Sequence, residues 1–574
     1  MVAQLDGPKF AISKYATHGN LSVRPRFGSS AMPTKEQASW PLQNVEGLGS
    51  VRVTELLKTA RPSVRARFME LFDLTCNPFT GVSDPLDPIA VSRSSTCSPA
   101  DCEVRVRNGV IRRVSAEEEA ARPSLSEIVA FTVAEPAKTR RRAIDWPRAV
   151  NDALYARGFK SDLGNSLKHI SAYLGAAHHH SGATGDIKSS FYQLELPEHA
   201  RAFYRFRDSA GHLYECSRLM MGLVCAPDLQ QIITSLLAGH PDYVESEFAA
   251  PCPVDVWIDG VRYHGTAALA AKAIEGFRAR SREFGVVLKE SSDGAVRTYT
   301  WAGVDWDHER RSVRVADKTR AQLPERMPRH LRVDELHSLF GRLVYVAGVR
   351  QLPLVQYWWA FKLARRIFNK ANKGQLRPSD KVDLGDAYAA RAQFDAWLRD
   401  AHSWHEVRKI KEGVRHAWLF TDATLVGWGG VLLTADGQVH IVGGLFDKDD
   451  HGDICAKEAQ AVANSVTALR ELLLQVTSLD IIVDNTSVEH GMRRMLPRAE
   501  ALAESVAAVW RDVINMRIAL RIGRIDSAKN PADAISRGIT VEPAQLLQAT
   551  RSAIRAAAPT TRSGAVVVVS AAPD

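Results

Sequence analysis

The sequence predicts an α+β protein of several domains that closes on an α/β unit. Three observations predict this. The chain has 574 residues, enough for roughly three or four units that each bury a core. Residues 121–320 mix short strand-like runs, bounded by turn signals, with helices. Residues 413–540 read strand, strand, helix, strand, helix, strand. Hydrophobic residues at 45% and charged residues at 24% fit a globular chain and exclude a disordered or fibrous one.

Lys and Arg outnumber Asp and Glu by 74 to 65. The excess favours polyanionic partners without identifying one. Seven cysteines, Cys76, Cys97, Cys102, Cys216, Cys225, Cys252 and Cys455, are sparse and odd in number. That argues against a secreted disulfide framework and for a reducing intracellular compartment, cytoplasm or nucleus. Cys97 and Cys102 lack the paired spacings and neighbouring histidines that zinc prefers, so free thiols are expected. The opening MVAQLDGPKF has no apolar signal-peptide core. The late run from Ala565 to Val569 is far too short to span a bilayer, so no membrane partner is expected.

Along the chain, residues 1–120 alternate Pro, Ser and Gly clusters with short apolar patches and show no motif, so this part is expected to be partly flexible. An Ala-rich helix is expected from Ala267 to Phe284, ending before Gly285. Residues 321–412 turn helical and basic. Leu336, Leu339, Phe340, Leu343 and Val344 mark one buried face, with Arg326, Arg329, Arg332, Lys362, Arg365, Arg366, Lys370 and Lys373 around it. An Ala/Arg/Ser-rich tail over 541–574 has little reason to fold.

Two sets of carboxylates carry the chemistry. GATGDIKSSFYQLEL offers a strand bearing Asp186, followed by Phe191 and an alternation of Tyr192, Leu194 and Leu196. VDVWIDGVRYHG is two apolar runs joined at Asp259-Gly260, a strong hairpin signal. Either Asp alone is more simply a turn or strand-end residue. A hairpin tip and a neighbouring strand together present two carboxylates, and magnesium needs only one or two plus substrate phosphates. Between them, LMMGLVCAPDLQQ places a Gly-containing turn before Ala226-Pro227 opens a helix.

At these residues the chain resembles the palm of retroelement reverse transcriptases. Asp186 matches the first catalytic Asp, and Phe191 the aromatic that screens the sugar 2′ position. Leu219 to Gln231, with Gly222 and Gln231, resembles the template- and nucleotide-facing turn LPxGLxxAPxxFQ. Asp259 matches the third motif, where the family normally has two adjacent Asp and this chain has Gly260 second. The resemblance implies that the first of the two is the firmer metal ligand. Asp255, four residues from Asp259 or about 13 Å along a strand, is not expected to replace the missing acid. RRAIDWPRAVN resembles the fingers segment RxxxDxRxLN with one extra residue, which implies that Arg141 or Lys138 contacts the incoming triphosphate. The Lys138–Arg142 run also reads as a nuclear-import signal. Gly285 and Lys289 resemble the next palm motif, Thr300 to Asp307 the strand that grips the primer, and the region from Ser338 to Val349 the helix after it. His178, His179 and His180 complete no metal site at short spacing.

The second set is fuller. Asp422 lies at the end of an apolar strand before a Gly-rich turn, and Glu458 in an amphipathic helix whose buried side is Ala459, Val462, Val466 and Leu469. Asp484 ends a buried strand, and Asp533 follows Pro531 where a helix begins. Acids that converge at a sheet edge repel unless a cation holds them. DAT…GWGG, VDN and NPADxxSR resemble the ribonuclease H family, whose four acids hold two metals; Asp422, Glu458, Asp484 and Asp533 match in type and order. Four solvated acids in an unrelated α/β domain are the alternative. By the same resemblance Asn485 orients the site or substrate, Ser536 and Arg537 contact phosphate, and Trp428 packs.

The resemblance covers about residues 135–540. It implies a right-hand polymerase (fingers and palm over 121–320, a helical thumb or connection over 321–412) followed by an α/β ribonuclease H-like domain over 413–540. The motif order and ending resemble retrotransposons of the tyrosine-recombinase (DIRS-like and VIPER-like) group. The implied activity is RNA-directed DNA polymerase with ribonuclease H. Its partners would be an RNA template, a DNA primer, an RNA–DNA hybrid and deoxynucleoside triphosphates, with two Mg2+ (or Mn2+) per site. A polymerase-silent hybrid nuclease and a non-catalytic, domesticated nucleic-acid-binding protein are the rivals.

Overall fold

The computed structural model describes residues 34–81, 97–135, 138–163, 167, 170–408 and 415–557. The chain divides into two compact units, one made of 26–167 and 179–309, the other of 1–25, 168–178 and 310–574. Helices and several sheets alternate through both, the α+β multidomain class that the sequence predicts. Among the described residues no helix is long and apolar enough to cross a membrane.

In the unit of 26–167 and 179–309, α1 (Pro62–Cys76) and α2 (Pro99–Arg107) each begin on a proline, whose missing N–H is harmless in a first turn. The antiparallel hairpin of β1 (Val129–Glu135) and β2 (Arg140–Trp146) leads into α3 (Arg148–Ala156). The site-bearing sheet has four strands, β3 (Ser181–Ile187), β4 (Val254–Trp257), β5 (Gly260–Gly265) and β6 (Leu288–Ser291), in the order β4-β5-β3-β6. Helices α4 (Ala226–Ala238) and α5 (Ala267–Glu283) cover it. α5 is capped by the Thr266 side chain, which accepts from Leu269 N. Ala270, Ala273, Ile274 and Phe277 form its buried stripe. β3 comes so close to α5 that a Cβ on Gly185 would stand 2.7 Å from Phe277 Cε1. A hairpin of β7 (Thr298–Trp301) and β8 (Val304–Asp307) follows.

Of the region before residue 120, expected to be partly flexible, the described part packs with the rest of the unit, and residues 82–96 lie outside the described residues. Leu56, Leu57, Phe68, Leu71 and Cys102 lie in the same core as Ala183, Leu229 and Phe277. Val51 N donates to Gln193 O at 2.8 Å and Arg52 N to Phe284 O at 2.9 Å, so irregular backbone is tied directly to the sheet-bearing layer. Residues 1–33 lie outside the described residues.

In the other unit, α6 (Val333–Val349), α7 (Trp358–Asn372) and α8 (Tyr388–Asp400) pack around Phe340, whose ring meets Phe361 at 4.8 Å and Trp397 at 6.0 Å, both edge-on. The face expected from periodicity, Leu336, Leu339, Phe340, Leu343 and Val344, is buried. The five-stranded sheet contains β9 (His416–Ala423), β10 (Gly427–Thr434), β11 (Val439–Leu445), β12 (Ser478–Val483) and β13 (Ala519–Arg524) in the order β11-β10-β9-β12-β13. β9, β10 and β11 run antiparallel; β12 and β13 are parallel to β9. Helices α9 (Ile454–Ala468), α10 (Thr486–Arg494), α11 (Ala503–Asn515), α12 (Asp533–Ser536) and α13 (Pro543–Ala556) complete it. Successive side chains of a strand point to opposite faces, so Leu419 enters the core with Val462 and Trp510, while Phe420 enters the core with Leu546 and Ala553.

Two expectations change here. A third strand, β11, precedes the first helix; as an edge strand it is mostly exposed and offers little apolar alternation. Part of the expected tail is α13, whose Leu546, Thr550 and Ala553 are buried at spacings of four and three residues. Residues 558–574, with the Ala565–Val569 run, lie outside the described residues.

Candidate active sites

The first site forms where β3 meets the hairpin of β4 and β5. Asp186 lies opposite Gly260 across the ladder, and Asp259 is the residue before Gly260. Ile187 N donates to Asp259 O at 3.0 Å, locking the hairpin tip to β3. Burial and then the Asp186 charge push the Asp259 carboxyl up to about 6, against the pull of Lys289 and Arg142. Lys289 Nζ, from β6, lies 2.8 Å from Asp186 Oδ2 and 2.6 Å from Glu290 Oε1. Asp186, Asp259 and Lys289, separated in sequence, therefore share one locality.

The hairpin turn is not Asp259-Gly260. Trp257 pairs with Gly260, so Ile258 and Asp259 make the turn and Gly260 opens β5. Gln231, buried in α4, places Nε2 3.2 Å from Val256 O and Oε1 2.7 Å from Ile258 N. Its amide is engaged by the hairpin, away from the nucleotide-facing role that the resemblance implies. Phe191 sits in a 3₁₀ turn, Ser190–Gln193, entered through Ser189 at φ 44°, in place of the expected strand, and packs partly against the core.

Gly222 has φ 110°, and a Cβ there would stand 2.5 Å from Asp145 O, so only glycine lets this turn meet β2. Asn151 fastens the same turn, donating to Gly222 O at 2.8 Å and accepting from Val224 N at 2.9 Å. Arg141 is occupied: Nη1 and Nη2 reach Asp101 at 2.6 and 2.8 Å and Nε reaches Trp40 O at 2.8 Å, a bidentate clamp. Lys138 is exposed. Arg142, which the sequence did not single out, has its Nη1 3.9 Å from Met221 Sδ, and its charge reaches Asp259. Its signal lay in the Arg140–Arg142 run, and its Nη2 also pairs with Glu135 Oε1 at 2.5 Å across the β1–β2 hairpin. Burial pushes Asp255 up, but Arg262 and His264 outweigh it and hold the carboxyl well below the ordinary range. It is thus an ion-pair residue and no substitute for the missing acid.

The second site lies on the five-stranded sheet. Asp422 is in β9, Glu458 in α9, and Asp484 directly after β12. One carboxylate oxygen from each lies within 4.8 Å of the others. Asp422 is 4% and Glu458 5% exposed. Burial, then Asp422 and Asp484, push Glu458 up to about 8. Burial also pushes Asp422 up to about 6, with Asp484 and Asp533 adding to the rise and a hydrogen bond from Ser536 opposing it. Glu458 Oε2 is buried without a hydrogen-bond partner. An orphaned oxygen in an all-oxygen donor set of like charges fits a hard divalent cation. At the first site, no third acid of the described residues joins Asp186 and Asp259 in such a group.

Asp533, at the start of α12, falls outside the group of three; Arg537 holds it at 2.9–3.1 Å. Ser536 Oγ donates to Asp422 Oδ2, so both Ser536 and Arg537 are engaged with the acids. Asn485 caps α10, accepting from Ser487 N and Val488 N. The glycines of GWGG have a packing role: a Cβ on Gly427 would stand 2.7 Å from Ser536 O, and one on Gly429 2.7 Å from Ser536 N. Trp428 packs partly against Ala423, Phe446 and Ala461.

No protein-family model matches the chain, and no curated protein is similar to it in sequence. Solved structures that resemble it include the foamy viral protease-reverse transcriptase dRH in complex with ds DNA, at 14% identity and TM-score 0.45 over 83% of this chain and 82% of that one. The foamy viral protease-reverse transcriptase in complex with dsDNA gives 14% and 0.44 over 83% and 96%. The same protein in complex with RNA/DNA hybrid gives 13% and 0.43 over 82% and 62%.

Proposed function

We propose that the chain is an RNA-directed DNA polymerase with ribonuclease H activity, serving retroelement replication on RNA templates, DNA primers, RNA–DNA hybrids and deoxynucleoside triphosphates. The observation that carries the reading is the buried trio Asp422, Glu458 and Asp484 on a sheet ordered β11-β10-β9-β12-β13. Supporting it in the other unit are Asp186 on β3 and Asp259 in the turn of the neighbouring hairpin, with Lys289 beside Asp186. The subgroup, DIRS-like or VIPER-like, rests on motif order alone.

Asp186 and Asp259 would hold magnesium in the first site, and Asp422, Glu458 and Asp484, with Asp533 at the margin, in the second. Bound there, the ions supply activation of the attacking oxygen and charge stabilisation of the leaving one in an in-line displacement. Lys289 sets its ammonium 2.8 Å from Asp186 Oδ2 and so fixes where that carboxylate points. Arg142 contributes positive charge at the tip of the site, favourable to a triphosphate. Phe191, in the 3₁₀ segment five residues after Asp186, would exclude a 2′-hydroxyl by bulk. Ser536 orients the Asp422 carboxylate through its hydroxyl.

The test is primer extension on an RNA template beside cleavage of a labelled RNA–DNA hybrid. Extension lost on Asp186→Asn and cleavage lost on Glu458→Gln support the proposal. Wild-type protein that does neither overturns it. A specific observation favours a second reading: Gly260 leaves the hairpin one acid short, and Lys289 already partners Asp186. That reading is a hybrid nuclease without synthesis, and cleavage without extension would establish it.

A further inference from the structure

We infer that Gln231 is the positioning residue of the acidic hairpin, acting through Ile258 to set Asp259 beside Asp186. The inference rests on the polymerase reading of that site. Pairing of Trp257 with Gly260 leaves a two-residue turn, Ile258-Asp259. Tight turns of this kind with positive φ at the first central position normally place glycine there. Here Ile258 takes φ 55°, a left-handed conformation that a β-branched side chain resists sterically. Something outside the turn must hold it.

Gln231 is placed to do so. Its Oε1 accepts from Ile258 N at 2.7 Å, and its Nε2 donates to Val256 O at 3.2 Å. One planar amide thus grips the backbone on both sides of Trp257. Gln231 is 4% exposed in a helix buried along nearly its whole length, so the grip is anchored in the core. The residue after Ile258 is Asp259, whose carbonyl accepts from Ile187 N at 3.0 Å. The tip is therefore fixed at two points, by α4 through Gln231 and by β3 through Ile187. Loss of the first contact leaves a buried amide unpaired and frees Ile258 to relax toward negative φ, which rotates the Asp259 backbone away from Asp186. With Gly260 in place of a second acid, no neighbouring carboxylate takes over.

The test is a cycle in the full-length chain: Gln231→Met, which keeps volume and removes both bonds, Ile258→Gly, which removes the steric cost of positive φ, and the double variant. Primer extension should show Q231M lowering kcat by about tenfold or more while KM for the nucleotide moves less than about twofold, the signature of a lost transition-state contribution. The double variant should recover to the I258G level, because glycine adopts the turn unaided. Hydrogen exchange of the peptide over 254–262 supplies a readout independent of activity, with protection at Ile258 lost in Q231M. A rise in KM at constant kcat, no recovery in the double variant, or unchanged exchange in Q231M would each overturn the inference. If the wild type extends no primer, the polymerase reading fails, and exchange alone still decides whether Gln231 holds the turn.

Discussion

Glu458 shows how a single residue can carry a functional reading. Its helix position follows from an amphipathic stripe visible in the sequence, and Ala459, Val462, Val466 and Leu469 are buried as that stripe requires. What no sequence shows is that Oε2 has no donor. Folding holds protons on Glu458 up to about 8 and on Asp422 up to about 6, whereas unfolded carboxyls lose them near about 4. The metal-free fold therefore takes up protons across this window. Its stability is greatest below the unfolded values and falls as pH rises through 6 and then 8. We expect melting scans without divalent ions to show this decline, and added Mg2+ to flatten it, stabilising most at the alkaline end. Equal Mg2+ stabilisation at pH 5 and pH 8.5 would contradict a metal held by these acids. Glu458→Gln should cut hybrid cleavage by more than about 100-fold, beyond what outer-shell changes cost, while raising the metal-free melting temperature, because the fold no longer has to hold a proton on that carboxyl or, above about 8, a charge beside Asp422 and Asp484. Gln231 is the converse case. The motif it belongs to was legible, but its role was not, because hydrogen bonds to Val256 and Ile258 depend on how α4 meets the hairpin.

Elements were legible wherever one face is buried and the other solvated. The expected helix from 267 ends within a residue of its predicted limit, and the strands around Asp186, Asp422 and Asp484 lie where apolar runs put them. Legibility fails where backbone geometry outweighs pattern. Phe191 and Tyr192 alternate like a strand yet turn into a 3₁₀ segment at Ser189, and the Asp-Gly signal misplaces the hairpin turn by one residue because Gln231 stabilises Ile258 at positive φ. The short α12 is held by close backbone approach, which is a property of glycines in another strand. A Cβ at Gly429 would meet Ser536 N at 2.7 Å, Ile535 Cβ at 2.8 Å and Ala532 O at 3.0 Å. Two of these are backbone atoms, so the clash cannot be relieved by a rotamer change. Gly429→Ala should lower the melting temperature of this unit by an amount equivalent to about 1–3 kcal/mol and weaken hybrid cleavage by displacing Ser536 from Asp422. Gly437→Ala, whose φ is 86° but whose added Cβ meets only Arg551 Nη2 at 3.4 Å, provides the control for backbone strain without that displacement. Equal cleavage by both variants would show that α12 does not support the site.

At the scale of the whole molecule, the limits of the two compact units were not legible in the sequence. One core gathers Val45, Phe68, Cys102, Ile128, Leu229 and Val286, so the described residues before 120 belong to the unit that bears Asp186 and Asp259. Their contributions are short and irregular, and only long-range packing makes sense of them. Asp422, Glu458 and Asp484, by contrast, lie within one contiguous stretch, 422–484, where their local order was legible, whereas the expected fourth acid, Asp533, falls outside the group they form. The two carboxylate sites fall in different compact units: Asp186 and Asp259 in the one made of 26–167 and 179–309, Asp422, Glu458 and Asp484 in the one that includes 310–574. Each unit has its own core, β-sheet and acids. Chemistry at the two should then separate cleanly. In the full-length chain, Asp186→Asn should abolish primer extension and leave cleavage of a preformed hybrid within about twofold of wild type, and Glu458→Gln should do the reverse, since under this proposal each set of acids serves its own reaction. The double variant should lose both activities while still binding hybrid, because affinity for nucleic acid comes mainly from phosphate contacts by Lys and Arg and is read out as a steep decline with salt. If Asp186→Asn also silenced cleavage of a preformed hybrid, the two carboxylate sets would be parts of one catalytic device, and the assignment of a separate reaction to each would have to be abandoned.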